Sequence, residues 1–178
     1  MISSSLKTVA VLALLVAASA PALAQRPAGD PLAAFADSLT AVPEAGGLTN
    51  KGRVYVPAYS TLRIGSGKGK MDFAVTLSIQ NASDDKPLVL EHIDYFDTAG
   101  KLVEKFLASP VAIKPFGTVE IFVSKDDVRG GTGANFVVGW AAAGAIAEPV
   151  IETVMISSAG NFSYSFVSQG RPIRAVGR

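Results

Sequence analysis

The amino-acid sequence predicts an all-β domain, an immunoglobulin-like antiparallel β-sandwich of about seven to nine strands. From residue 53 onward, apolar and polar residues alternate with the period of two that half-buried strands show. Turn-forming residues recur roughly every ten residues, which is the spacing of sandwiches and barrels. No long stretch has helical periodicity. A small antiparallel β-barrel stays open as the alternative, because alternation is the same in both folds.

The first 24 residues have the layout of a secretory signal peptide. Lys7 supplies the positive charge, residues 9–18 are apolar, and Ala22-Leu23-Ala24 forms a small-x-small cleavage signal. We therefore expect cleavage after Ala24 and a periplasmic or secreted mature protein. The apolar stretch is shorter than the roughly 20 residues of a membrane span, so no spanning segment is predicted.

The remaining chain divides into three parts. Residues 25–51 are rich in Ala, Pro and Gly without a sustained period, and we interpret them as a tether. Residues 52–171 form the predicted β-sandwich domain. Residues 172–178 form a short basic tail.

The clearest predicted strand is 71–80, whose alternate residues Phe73, Val75, Leu77 and Ile79 share one face. The same phasing predicts three more sets of core residues. These sets are Val119, Ile121 and Val123; Phe136, Val138 and Trp140; and Phe162, Tyr164 and Phe166. Further strands are expected at 54–59, 88–96, 101–107 and 150–157. Pro57 lacks an amide donor, which favours an edge or a bulge in the first of them.

Composition excludes several classes of function. The chain has no cysteine, which excludes disulfides, thiol catalysis and a lipid-modified leading cysteine. Of the 16 basic residues, Lys7 lies in the leader, so 15 basic residues balance 15 acidic ones in the mature chain. This balance gives no basic surface for nucleic acid. His92 is the only histidine, and we expect no cofactor and no metal site.

Catalytic motifs fail on their spacing. The glycine-rich segment 65–70 lacks the P-loop pattern and precedes a strand instead of a helix. Residues 97–100, Asp-Thr-Ala-Gly, carry one residue more than the Asp-Thr-Gly of aspartic proteases and occur once. His92 and Asp94 share a strand face, but no Gly-x-Ser-x-Gly elbow is present to supply a nucleophile. Hairpin turns and a surface histidine are the favoured interpretations.

Several ordered segments together resemble one bacterial family, domain of unknown function 3124. The segments are Val54-Tyr55-Val56-Pro57-Ala58-Tyr59-Ser60, the run 77–81, the run 94–103, Gly130-Gly131-Thr132-Gly133-Ala134-Asn135-Phe136, and the run 165–171. The resemblance extends from about residue 52 to residue 171. It implies an exported envelope protein and transfers no catalytic residue. This chain departs from those members that carry a lipid-modified cysteine.

For function, the sequence favours a non-enzymatic binding or accessory module that contacts an envelope protein or glycan. The residues predicted to form the binding patch are Tyr55, Tyr59, Asp97 and Asn135. Tyrosine suits interfaces, Asp97 begins the turn at 97–100, and Asn135 follows a glycine-rich loop. The tyrosines have a second interpretation as core residues. The alternative function is a carboxylate-based hydrolase acting on an envelope polymer, since paired acids are the catalytic chemistry still permitted. The sequence predicts no oligomeric state.

Overall fold

The computed structural model describes residues 29–174, which form β-strands and two short 3₁₀ helices at Ala33–Ser38 and Ala45–Gly47. The strands are β1 (Leu39–Thr40), β2 (Asn50–Pro57), β3 (Thr61–Ile64), β4 (Gly69–Asp72), β5 (Ala74–Gln80), β6 (Leu88–Phe96), β7 (Leu102–Lys105), β8 (Val111–Ile113), β9 (Thr118–Val123), β10 (Asn135–Ala142), β11 (Val150–Ala159), β12 (Phe162–Gln169) and β13 (Arg171–Pro172). The predicted leader and the last four residues of the predicted tail lie outside this part of the chain.

Two antiparallel sheets pack face to face. The large sheet has the order β1-β8-β6-β10-β2-β13, with β7 also paired to β6, and the small sheet has the order β12-β11-β5-β9. The strands β3 and β4 form a separate hairpin. Neither sheet closes on itself, so the predicted sandwich is confirmed and the barrel alternative is wrong.

The core lies between the inner faces of the two sheets. Ten of the predicted core residues are buried there, and they include every member of the sets on β5, β9 and β10. Fully burying an aliphatic or aromatic side chain of this kind contributes about 1.5–3 kcal/mol. Alternation therefore identifies the inner faces of β5 and β10, which pair with a strand on each side, and of the edge strand β9.

The fourth predicted core set is largely wrong. Phe162 is 70% exposed and Tyr164 is 44% exposed, whereas Phe166 is half-buried against Tyr59 and Phe73. All three side chains belong to β12, which pairs with β11 on one side and with no described strand on the other. The periodicity of β12 is that of a core strand, but its position is that of an edge.

Residues 32–49 belong to the fold, although the sequence suggested a tether. Leu32 is fully buried and Leu39 is 9% exposed, and both contribute to the core beside the sandwich. Leu39 and Thr40 pair with β8 as strand β1. The stretch is too short and too rich in Pro and Gly to show a period, so only its packing reveals that it is ordered.

The structure has thirteen described strands, more than the seven to nine predicted, and seven of them have six or more residues. The other six have two to four residues, which is too short for alternation to be recognised. The strand predicted at 88–96 coincides with β6, and the strand predicted at 71–80 is divided at Phe73 into β4 and β5. Pro57 ends β2, beyond the two residues that pair with β13.

Candidate functional site

The outer face of the large sheet carries a flat, solvent-facing group of side chains. Because Val54 and Val56 point into the core, Tyr55 between them points outward. One cross-strand row on this face runs through Arg171, Tyr55, Val137, Asp94 and Lys105. The next row runs through Pro57, Asn135, Phe96 and Leu102. We call these two rows the open face.

The rest of this outer face is covered by the chain itself. Val89, Ala112 and Ala141 point outward yet are fully buried, because Leu48 packs over them. Leu48 follows the second 3₁₀ helix, in the segment that the sequence suggested as a tether. The part of the outer face that carries Val89, Ala112 and Ala141 is thus covered by Leu48. The part that carries Tyr55 is left exposed to solvent.

The open face has an excess of positive charge. Arg171 and Lys105 are exposed at its two ends, and Arg53 is exposed in the adjacent row. None of these three cations forms an ion pair within residues 29–174. Asp94 is the one carboxylate in the two rows, and its Oδ2 lies 3.2 Å from His92 Nδ1, without the geometry of a hydrogen bond. This local excess contrasts with the formal net charge of only +1 for the whole chain.

Gly139 leaves room for the His92 ring beside it on the outer face of the sheet. A Cβ at Gly139, which is opposite His92 on β10, would overlap the imidazole. The ring therefore occupies the space that a side chain would fill. The sequence placed His92 and Asp94 on one face, and the structure brings them into contact; the contribution of Gly139 has no signal in the sequence.

The two predicted tyrosines lie in different environments. Tyr55 is 40% exposed and lies second in its row, between Arg171 and Val137. Tyr59 is half-buried beyond the end of β2, with its ring centroid 6.1 Å from that of Phe166. The structure therefore places Tyr55 on the open face and Tyr59 at the border of the core, so the two do not form one patch.

Asp97 and Asn135 have local structural contacts. The Asp97 Oδ1 atom accepts the amides of Ala99 at 2.9 Å and Lys101 at 2.8 Å, which caps the turn between β6 and β7. Asn135 is 8% exposed in the second row, and its amide donates a 3.4 Å hydrogen bond to the Gly133 carbonyl. Asp97 borders the open face and Asn135 forms part of its floor. Arg171 neighbours Tyr55 through the pairing of β13 with β2, and no local pattern in the sequence indicates this position.

Segments that carry the family resemblance meet at one end of the sandwich. Gly130 accepts the Thr98 amide at 2.9 Å and the Thr98 hydroxyl at 3.0 Å, and Thr98 Oγ1 accepts the Gly133 amide at 2.9 Å. The Ser60 hydroxyl donates to the Gly131 carbonyl at 2.9 Å. These contacts hold the glycine-rich loop, 130–133, against the turn at 97–100 and the end of β2. Close packing, and not a phosphate, accounts for its glycines.

Tyr95 lies directly beneath this loop. Its side chain is fully buried, its ring centroid lies 4.8 Å from that of Phe136, and its hydroxyl has no hydrogen-bond partner in the described part of the chain. Burial raises the pKa of the Tyr95 hydroxyl, and the nearby Ser60 hydroxyl opposes this shift. Burial is the largest of these effects, so the pKa of Tyr95 stays above its ordinary value.

Two pairs of carboxylates bear on the hydrolase hypothesis. Arg129 Nη2 lies 2.7 Å from both Asp127 Oδ2 and Glu104 Oε2, and its hydrogen bonds hold the pKa of Asp127 below the usual range. A general acid needs the opposite shift. Asp30 and Glu104 line one cavity of about 590 Å³, but Asp30 Oδ1 accepts the Leu32 amide at 2.9 Å. In both pairs the carboxylates already hold structural contacts.

Residues 29–174 contain no group of three or more side chains placed to hold a metal ion. In the same range, no helix has the length and apolar character needed to cross a membrane.

Comparison with known proteins gives a family and no activity. The family model described as "Protein of unknown function (DUF3124)" matches residues 51–173. A structure described as the crystal structure of Thermotoga maritima 1070 aligns with 70% of this chain and 96% of its own, at 13% identity and a TM-score of 0.41. That similarity is too weak to carry an argument. No curated protein matches this chain.

Proposed function

The chain belongs to the DUF3124 family, and because that membership assigns no activity, we propose that it is a non-enzymatic binding module whose open face docks an acidic polypeptide. The observation that carries this proposal is the pairing of exposed Tyr55 with Arg171 in one cross-strand row. Tyrosine and arginine are both enriched at protein interfaces, where they contribute most of the binding energy.

The shape of the face supports a macromolecule over a small ligand. Small-molecule sites are concave pockets, whereas the two rows lie on the surface of one sheet. The charge supports an acidic partner, because Arg53, Lys105 and Arg171 lack ion-pair partners among the described residues. Complementary charge mainly increases the rate of association and selects the partner.

We further propose that this docking takes place outside the cytoplasm. The support is the leader pattern of residues 1–24, which includes Ala22 and Ala24 at the expected cleavage positions. An envelope protein with an acidic surface is then the class of partner to seek.

Site-specific photo-crosslinking in the native host tests the docking proposal. A photoreactive phenylalanine at position 55 should give one recurrent adduct with an acidic polypeptide, identified by mass spectrometry. The matched control is the same probe at Phe122, an exposed aromatic position on the outer face of the small sheet, which should not give that adduct. With the purified partner, Arg171→Glu should weaken binding about tenfold or more, and added salt should weaken wild-type binding.

Two results would overturn this proposal. One is an identical adduct from positions 55 and 122, which would show non-specific capture. The other is partner binding by Arg171→Glu, folded by circular dichroism, with wild-type affinity and no dependence on salt.

A further inference from the structure

The strand β12 forms one edge of the small sheet, and the open face belongs to the large sheet. β12 has eight residues and, among the strands of residues 29–174, pairs with β11 alone. Residues 153–170, which span most of β11 and all of β12, contain no charged residue and no proline. Edge strands are normally protected by charge, proline or a bulge, and the register of β11 with β12 is continuous from Glu152 to Ala159.

The register identifies the backbone groups that point away from β11. The Gly170 amide donates to the Ile151 carbonyl at 2.8 Å, and the pairing places Gly170 opposite Ile151. Hydrogen-bonded pairs alternate along an antiparallel ladder, so Ser168, Phe166 and Tyr164 also direct their amides toward β11. The amides and carbonyls that point to the free edge are therefore those of Ser163, Ser165, Val167 and Gln169.

We propose that a second copy of this chain pairs with this edge, β12 against β12, in an antiparallel dimer with its twofold axis perpendicular to the sheet. Such an axis keeps both outer faces on the same side and pairs odd-numbered residues with odd-numbered residues. Those are the residues whose backbone groups are free. A pairing centred on Ser165, for example, places Ser163 of one copy opposite Val167 of the other.

Side-chain chemistry favours a second copy over a charged partner strand. The edge offers no charge to pair with an acidic or basic segment, and self-pairing places no like charges opposite each other. The exposed rings of Phe162 and Tyr164 lie on the inner side of β12, where the two copies would bring them together with Phe166. This arrangement explains why β12 has the periodicity of a core strand at an edge position.

Analytical ultracentrifugation of the purified mature protein tests the proposal. The wild-type protein should convert from monomer to dimer as its concentration rises. Ser165→Pro removes an edge amide that β11 does not use, and Val167→Lys places charge on the edge. Each should weaken dimerisation about tenfold or more while retaining the far-ultraviolet circular dichroism of the wild type. The control variants Ser165→Ala and Phe122→Lys should dimerise as the wild type does.

A second measurement uses the natural absence of cysteine. Ser165→Cys should be joined into a covalent dimer by a short bismaleimide, whereas Phe122→Cys on β9 should stay monomeric. A wild-type protein that stays monomeric at its highest soluble concentration would overturn the proposal. So would a folded Ser165→Pro and a folded Val167→Lys variant that both dimerise as the wild type. Protection of the Ser165 amide from hydrogen exchange in a monomer would also overturn it, since another segment of the chain would then cover the edge.

Discussion

Gly130 has no room for a side chain. A Cβ there would overlap the Tyr95 hydroxyl and lie 2.6 Å from the Ala134 Cβ. Tyr95 and Ala134 are both buried, and Ala134 holds the end of β2 through a 2.8 Å hydrogen bond from the Ala58 amide to its carbonyl. The loop therefore has little freedom to move away from the tyrosine.

We predict that Gly130→Ala lowers the free energy of unfolding by about 1–3 kcal/mol, the usual cost of overpacking. Tyr95→Phe alone should cost little, because the hydroxyl it removes has no hydrogen-bond partner among the described residues. The double variant should recover part of the loss, since one of the overlapping atoms is gone.

Urea denaturation of the wild type, the two single variants and the double variant measures the coupling energy between positions 95 and 130. Gly46→Ala, where no atom lies within 4 Å of the new Cβ, serves as the neutral control. Strict additivity would contradict the predicted contact.

Single residues also show where sequence prediction succeeds and fails. Alternation placed Tyr55 opposite in phase to Val54 and Val56, and its side chain does face solvent. Tyr59 lies two residues beyond Pro57, the last residue of β2, where alternation no longer determines direction. Asn81 is 2% exposed, and its side-chain amide donates to the carbonyls of Lys86, Ile113 and Lys114, which are contacts that the sequence did not predict. Contacts between distant segments leave no local pattern.

At the scale of elements, the turn at 97–100 and the glycine-rich loop depend on one hydroxyl. Thr98 Oγ1 donates to the Gly130 carbonyl and accepts the Gly133 amide. The sequence identified both segments as turns, and the structure adds that they are bound to each other. Both segments belong to the stretches that carry the family resemblance. The resemblance could not indicate that they are in contact, because β7, β8 and β9 lie between them in the sequence.

We predict that Thr98→Val, which keeps the shape of the side chain, lowers the free energy of unfolding by about 1–2 kcal/mol, since two hydrogen bonds are lost. Thr98→Ser should keep most of the stability because it retains the hydroxyl. Hydrogen exchange should become faster at the Gly133 amide in Thr98→Val, while the amides of β5 stay protected. Unchanged exchange at Gly133 would show that the loop holds its conformation without Thr98.

At the scale of the whole molecule, the two proposed surfaces belong to different sheets and differ in the chemistry of their side chains. The open face is charged and aromatic, whereas the β12 edge is uncharged over its full length. The sequence predicted the sandwich because long strands with a buried face have a strong period. It did not predict either surface as such, because an edge and an outer face are defined by which strands are neighbours. Strand order is set by contacts between segments far apart in the chain.

The export proposal requires that the protein is processed at its N-terminus. We predict that the protein recovered from its host begins at Gln25, after cleavage following Ala24, because small residues at positions 22 and 24 match what signal peptidase accepts. N-terminal sequencing and intact mass of protein from the envelope fraction measure this directly. Replacing Ala22 and Ala24 together by arginine should leave uncleaved precursor, whereas Ser5→Ala, remote from the cleavage signal, should be processed normally. An unprocessed wild-type chain in the cytoplasm would contradict export, and it would move the search for an acidic partner to that compartment while leaving the geometry of the open face unchanged.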